Sequence, residues 1–125
     1  MRNITAEPLM LYGIKNCDTV KKAHKYLLMH ECNVDFHDFR AEGIALPWLH
    51  QLVTAVGLSA MVNTRSTTWR NLSSTEQDAI NHPDLALQLL QQHPTLIKRP
   101  ILQWGQHFIV GFSESRYTDL LREIK

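Results

Sequence analysis

The residue best placed to do chemistry is Cys17, in the run Leu9-Met10-Leu11-Tyr12-Gly13-Ile14-Lys15-Asn16-Cys17-Asp18-Thr19-Val20-Lys21-Lys22-Ala23. Leu9 to Tyr12 reads as a short buried strand, Gly13 and Asn16 break it, and a helical pattern begins just past the thiol. A cysteine at the mouth of a helix faces unpaired backbone N–H groups and the positive end of the helix dipole. Both favour the thiolate, the form that attacks disulfides and other electrophiles. Lys15, Lys21 and Lys22 add positive charge nearby and Asp18 opposes them. A lone cysteine is more often a small buried hydrophobe, but a strand–turn–Cys–helix setting with polar and basic neighbours favours a reactive thiol, so Cys17 is the expected nucleophile.

The elements that must position it follow from the hydrophobic pattern. Val20, Ala23 and Leu27, broadened by Tyr26 and Leu28, give a helical face from Thr19 to about Glu31, and Val34 to Phe39 alternates with period two as a second strand. A β-α-β crossover of this kind prefers parallel pairing. From Arg40 to roughly Pro94 the pattern turns helical. Pro47 stands at a first helical position, and Trp48, Leu49, Leu52, Val53 and Val56 form a face that Gly57 ends. Ser73-Ser74-Thr75-Glu76 matches a capping box, and Leu85, Leu89 and Leu90 mark a further helix that Pro94 stops. Ile101–Trp104, Gly105-Gln106 and His107–Val110 read as a hairpin. Ser113 is the expected N-cap of a last helix with Tyr117, Leu120, Leu121 and Ile124 on one face.

The order β-α-β, helical insertion, β-β-α is a thioredoxin-like α/β layout with a mixed sheet. It implies one domain over residues 1–125, with the insertion at approximately 41–94 and residues 1–8 as a flexible lead-in. Composition narrows the function classes. The chain has 125 residues, a formal charge of +1, two cysteines and seven histidines. Near-neutral charge gives no electrostatic case for broad nucleic-acid binding. Two cysteines make no disulfide framework, and the histidines show no repeated ligand spacing. His30, Cys32 and His37 are better read as surface groups than as a zinc set, because one end of that segment is a helix terminus and the other a strand. The segment before Leu9 has no signal-peptide core and no apolar run approaches membrane-spanning length, so a cytoplasmic protein with reduced thiols is expected.

Three stretches resemble one family. Gly13 to Ala23 resembles the nucleophile turn of the glutaredoxin-like arsenate reductases (ArsC) and the related Spx regulators, closest to the small YffB-type proteins. Asn63-Thr64-Arg65-Ser66-Thr67-Thr68-Trp69-Arg70 resembles the YffB-type motif of the insertion, and His93 to Ile101 resembles the family's approach to the third strand. The resemblance implies that Cys17 is the catalytic thiol, that Arg99 matches an oxyanion-binding arginine, and that Pro100 matches the cis-proline set opposite the nucleophile. It also implies departures. Asn63 stands where arsenate reductases carry a second arginine, with Arg65 two residues on, and Val110 and Gly111 stand where a third would lie. An arsenate cage needs several fixed guanidinium donors, so true arsenate reduction is the least favoured activity.

Cys17-Asp18-Thr19-Val20 has no second thiol three residues on, which excludes an internal CxxC disulfide. Cys32 is disfavoured as a resolving thiol because a helix separates it from Cys17. The expected function is therefore a glutathione-dependent thiol reductase with no bound cofactor. Glutathione is its co-substrate, and the partner is a small oxidised or oxyanion substrate. Lys15, Asn16, Arg65, Arg70, Lys98 and Pro100 are the expected substrate- and glutathione-binding residues beside Cys17 and Arg99, and Trp69 could wall the cleft. The competing expectation is an Spx-like regulator that binds RNA polymerase without turnover. No metal, nucleic-acid or membrane partner is expected.

Overall fold

The computed structural model describes residues 8–124; apart from Pro8, the lead-in expected at the start of the chain lies outside them. The described residues form two compact units, one built from the N-terminal part up to Asp38 together with the part from Arg99 onward, the other from Phe39–Lys98.

The first unit is a four-stranded mixed sheet in the order β2-β1-β3-β4 with two helices. Strand β1 (Leu9–Gly13) pairs parallel with β2 (Val34–Asp38), Leu11 opposite Phe36, as the crossover through helix α1 (Asp18–Met29) requires. Strand β3 (Ile101–Trp104) runs antiparallel to β1, and β4 (His107–Val110) antiparallel to β3. Gly105 turns this hairpin at φ +59°, a value a two-residue loop of this hand requires. One face of the sheet supplies Leu9, Leu11 and Leu102 to a core with Val20, Ala23 and Leu27 of α1 and Tyr117, Leu120 and Leu121 of the last helix, α8 (Glu114–Ile124). Each large aliphatic side chain buried here contributes roughly 1.5–3 kcal/mol. Ser113 caps α8 as expected: its Oγ accepts the Arg116 N–H at 3.3 Å.

Helix α1 is held at both ends. Near its C-terminus the Tyr26 hydroxyl pairs with Thr118 Oγ1 and reaches the Glu114 carbonyl at 3.4 Å, tying α1 to α8. At its N-terminus the backbone of β1 runs so close that a Cβ on Gly13 would stand 2.6 Å from Val20 Cγ2.

The second unit is helical. Helix α2 (Phe39–Glu42) begins at the residue the alternation would place last in β2. Helix α3 (Leu46–Val56) carries Pro47 in its first turn and ends at Gly57, φ +84°. Short helices α4 (Leu58–Met61), α5 (Thr67–Asn71) and α6 (Ser74–Asp78) follow, then α7 (Pro83–Gln92). The capping box is present: Ser73 Oγ accepts the Glu76 N–H at 3.1 Å and Glu76 Oε1 accepts the Ser73 N–H at 2.9 Å. An antiparallel bridge between Val62 and Ile97 closes the unit. Among the described residues no helix is long and apolar enough to cross a membrane.

The Gly13–Val20 approach makes a direct prediction. Gly13→Ala should cost about 1–3 kcal/mol, the usual penalty for overpacking against a buried side chain. Combining it with Val20→Ala should cost less than the two single losses added, because the double change removes the clash. Thermal unfolding of the three variants measures this, and strict additivity would exclude the contact as the cause.

Candidate active site

The Cys17 site is built by the turn between β1 and α1. The Cys17 N–H donates to the Ile14 carbonyl at 3.0 Å, which closes a four-residue turn with Lys15 and Asn16 at its exposed centre. Cys17 is then the N-cap of α1, extended at φ −86° and ψ 125°, and its carbonyl accepts the first helical bond from the Lys21 N–H at 3.0 Å. The sequence folds this way because Gly13 allows the close approach and a cap residue takes extended dihedrals while the next three turn helical.

The sulfur is half-exposed and is not a capping acceptor of ordinary geometry. Partial burial pushes its pKa up, but the N–H of Val20, the hydrogen bond and charge of the Arg99 guanidinium, and the N–H of Thr19 together outweigh that, so the thiol lies below its ordinary value. These donors strengthen when the sulfur carries charge.

Arg99 enters the site from the start of β3. The Arg99–Pro100 peptide bond is cis, Pro100 is buried, and its carbonyl accepts the Gly111 N–H at 2.7 Å, fixing the entry to β3 against the end of β4. Cys17 and Arg99 therefore meet within the sheet unit, which also holds Lys15, Asn16 and Pro100. Val110 and Gly111 supply no cation.

Arg65, Arg70 and Lys98 lie in the helical unit and are exposed. The Arg65 N–H donates to Asn63 Oδ1 at 3.1 Å, and its carbonyl accepts Arg70 Nη1 at 3.3 Å, while Arg70 Nη2 reaches Thr67 Oγ1 at 3.4 Å. Arg70 thus braces the loop that carries Arg65. Trp69 gives its carbonyl to Gln77 Nε2 at 2.9 Å, and its N–H goes to the Ser66 cap. The sequence predicts helix-start N–H groups at the thiol, and the structure identifies them as those of Val20 and Thr19; which two residues donate is not announced by any side-chain type.

Cys32 lies beyond the far end of α1, its Sγ 3.7 Å from the His30 carbonyl, and neither cysteine is in a disulfide. A helix of twelve residues is about 18 Å long at the usual rise, well beyond disulfide reach. Among the described residues no group of three or more His, Cys, Asp or Glu is placed to hold a metal ion.

Comparison with known proteins is decisive at the level of family. The sequence model of the ArsC family matches residues 12–120. The chain belongs to the ArsC family. This bears out the resemblance carried by the three motifs, and with it the thioredoxin-like, glutaredoxin-like fold of this arsenate reductase-related family. An uncharacterized protein of Haemophilus influenzae is 45% identical over 109 residues, covering 87% of this chain and 95% of its own. The solved structure of a YFFB protein superposes with a TM-score of 0.84 at 36% identity, covering 89% of this chain and 96% of that one. The global transcriptional regulator Spx of Enterococcus faecalis is 30% identical over 108 residues, 85% of this chain and 80% of its own.

The electrostatics of the ArsC-family thiol predict a titration. Arg99→Ala should raise the Cys17 pKa, and Arg99→Lys should raise it less, because the charge is kept and the guanidinium fork lost. Folding favours the thiolate here, so ionisation of Cys17 adds stability that is complete above the ordinary thiol pKa and lost as pH falls through the lowered one. The stability gap between wild type and Cys17→Ser should change across that window. Thiolate absorbance against pH, with parallel denaturation curves, measures both, and a titration unmoved by Arg99→Ala would remove Arg99 from the site.

Proposed function

We propose that this ArsC-family chain is a glutathione-dependent thiol reductase that works with one cysteine. The observation that carries the proposal is the Cys17 thiol at the start of α1, its pKa lowered by the Val20 and Thr19 N–H groups and by Arg99, with Cys32 out of reach.

In the proposed cycle Cys17 thiolate attacks the glutathionyl sulfur of a mixed disulfide between glutathione and a small thiol. The substrate S–S bond breaks, the substrate leaves as a thiolate that takes a proton from solvent, and Cys17 is glutathionylated. A second glutathione, as thiolate, attacks the glutathionyl sulfur, releasing oxidised glutathione and regenerating the Cys17 thiolate. One disulfide is consumed and one is formed: the substrate sulfur is reduced to a thiol, the incoming glutathione is oxidised to the disulfide level, and the glutathionyl group passed through Cys17 keeps its oxidation state. Val20 and Thr19 N–H and Arg99 stabilise Cys17 as nucleophile and again as leaving group, which is the same electrostatic task in both half-cycles. Lys15 and Asn16 flank the sulfur on the exposed turn, where an ammonium and an amide can meet glutathione's carboxylates, and Pro100 presents backbone beside Arg99. The chemistry needs a compartment in which glutathione is reduced, as the cytoplasm provides.

A second reading has one specific support, the relative that is a global transcriptional regulator: the chain would bind RNA polymerase and adjust transcription without turnover. Co-purification with polymerase that persists in Cys17→Ser would favour it. Arsenate reduction has weaker support, since Arg99 is the arginine that acts on the sulfur while Asn63, Val110 and Gly111 occupy the other positions.

The test is glutathionylation of the reduced protein by oxidised glutathione, followed by mass spectrometry against pH in wild type, Cys17→Ser and Cys32→Ser. A single adduct on Cys17, forming at a pH where an ordinary thiol is still protonated, is the expected outcome. It should survive Cys32→Ser and vanish in Cys17→Ser. Slow modification of both cysteines at similar rates would sink the reductase.

A further inference from the structure

The helical unit contains a cleft of about 800 Å³, within the size range of small-molecule sites. Leu58, Val62 and Ile80 give it an apolar wall, and its cations are Arg65 and Lys98. No acidic side chain lines it, and among the described residues neither Arg65 nor Lys98 has an ion-pair partner.

The backbone sets these groups in place. Lys98 N–H donates to the Met61 carbonyl at 2.8 Å and Asn63 N–H to the Leu96 carbonyl at 2.7 Å, so the two segments that carry the cations are paired side by side. The Arg65 peptide is held on both sides, by Asn63 Oδ1 and by the Arg70 guanidinium. The two lining amides are complementary. Asn63 has its oxygen engaged by Arg65 and its NH₂ left to donate, while Asn81 donates its NH₂ to Asp78 Oδ1 at 3.2 Å and keeps its oxygen to accept. Two cations ask for an anion, an accepting amide oxygen asks for an N–H, and the Leu58–Val62–Ile80 wall asks for an aliphatic group.

We propose that this cleft binds a small peptidic carboxylate with an aliphatic side chain, its carboxylate on Arg65 and Lys98 and its amide N–H on Asn81. The site is made of the helical unit alone and stands whether or not Cys17 turns over glutathione.

The experiment follows backbone amide shifts of the nitrogen-labelled full chain during titration with N-acetyl-leucine, N-acetyl-leucinamide, N-acetyl-glycine and S-methylglutathione. N-acetyl-leucine should give saturable shifts at Asn63, Thr64, Arg65, Asn81 and Lys98. Binding should weaken about tenfold or more for the neutral leucinamide and in an Arg65→Gln, Lys98→Gln double variant, the loss that goes with a charge-assisted pairing. N-acetyl-glycine should bind more weakly for want of the aliphatic arm, and Cys17→Ser should bind N-acetyl-leucine as wild type does. The comparison of probes on the unaltered chain needs no variant to fold. The proposal fails if N-acetyl-leucine gives no saturable shift up to ~20 mM, a value weaker than most specific small-ligand sites. Equal binding of leucinamide, or shifts centred on Cys17 and Arg99, would also overturn it. Tighter binding of S-methylglutathione than of N-acetyl-leucine at these same amides would overturn it too, and would make the cleft part of the glutathione seat.

Discussion

Everything at the thiol depends on how closely the end of β1 passes the first turn of α1. Gly13 has no side chain because Val20 Cγ2 fills the space a Cβ would need. That contact fixes the register of the 14–17 turn and puts the Cys17 sulfur against the N–H groups of Thr19 and Val20. The far end of the helix is tied to α8 through Tyr26, so the approach cannot relax by tilting α1 without breaking a side-chain contact there. Helix dipoles act within the first turn, so this steric constraint becomes an electrostatic one: a helix start displaced from the sulfur would remove the Val20 and Thr19 donors and leave Arg99 alone to stabilise the thiolate.

The size of the charge to be stabilised discriminates between the chemistries open to an ArsC-family site. A thiolate carries one charge, partly neutralised by backbone donors, and Arg99 supplies the remaining cation. An arsenate anion carries more, is strongly hydrated, and needs several fixed bidentate donors to offset that hydration. Asn63 can donate hydrogen bonds but no charge, and its oxygen is already engaged by the Arg65 N–H. Thiol–disulfide exchange asks for what this sheet unit offers, and oxyanion capture asks for more.

Much of this architecture is legible in the amino-acid sequence itself. Leu9 and Leu11, the Val20–Ala23–Leu27 face, the 34–38 alternation and the Gly105 turn name the strands, helix and hairpin, because periodicity speaks clearly over such lengths. The Ser73–Glu76 box names the start of α6, and the motif around Cys17 points to the thiol that the structure sets at the start of α1 with a lowered pKa. Helices α2, α4 and α5 leave no such mark: at four or five residues each, they are shorter than a pattern of period 3.6 can register. The period-two alternation also runs one residue past the strand, since Phe39 is apolar in either conformation and its burial settles into α2. From sequence, Arg70 is an expected glutathione contact; that its guanidinium holds the Arg65 carbonyl is a fact of loop geometry that no spacing encodes.

The position of Cys32 bears on how an ArsC-family thiol of this kind must be reset. A thiol at the opposite end of a twelve-residue helix cannot attack a mixed disulfide at Cys17 unless α1 melts. Melting α1 would expose Val20, Ala23 and Leu27 and dismantle the core they share with Leu11 and Tyr117. At roughly 1.5–3 kcal/mol for each large side chain, that exposure consumes a large part of a small domain's whole stability. An external thiol meets no such barrier, because the Cys17 turn is already at the surface with Lys15 and Asn16 exposed. The helix whose first N–H groups lower the Cys17 pKa thus also holds Cys32 away from it, and in the proposed cycle the reductant comes from solution.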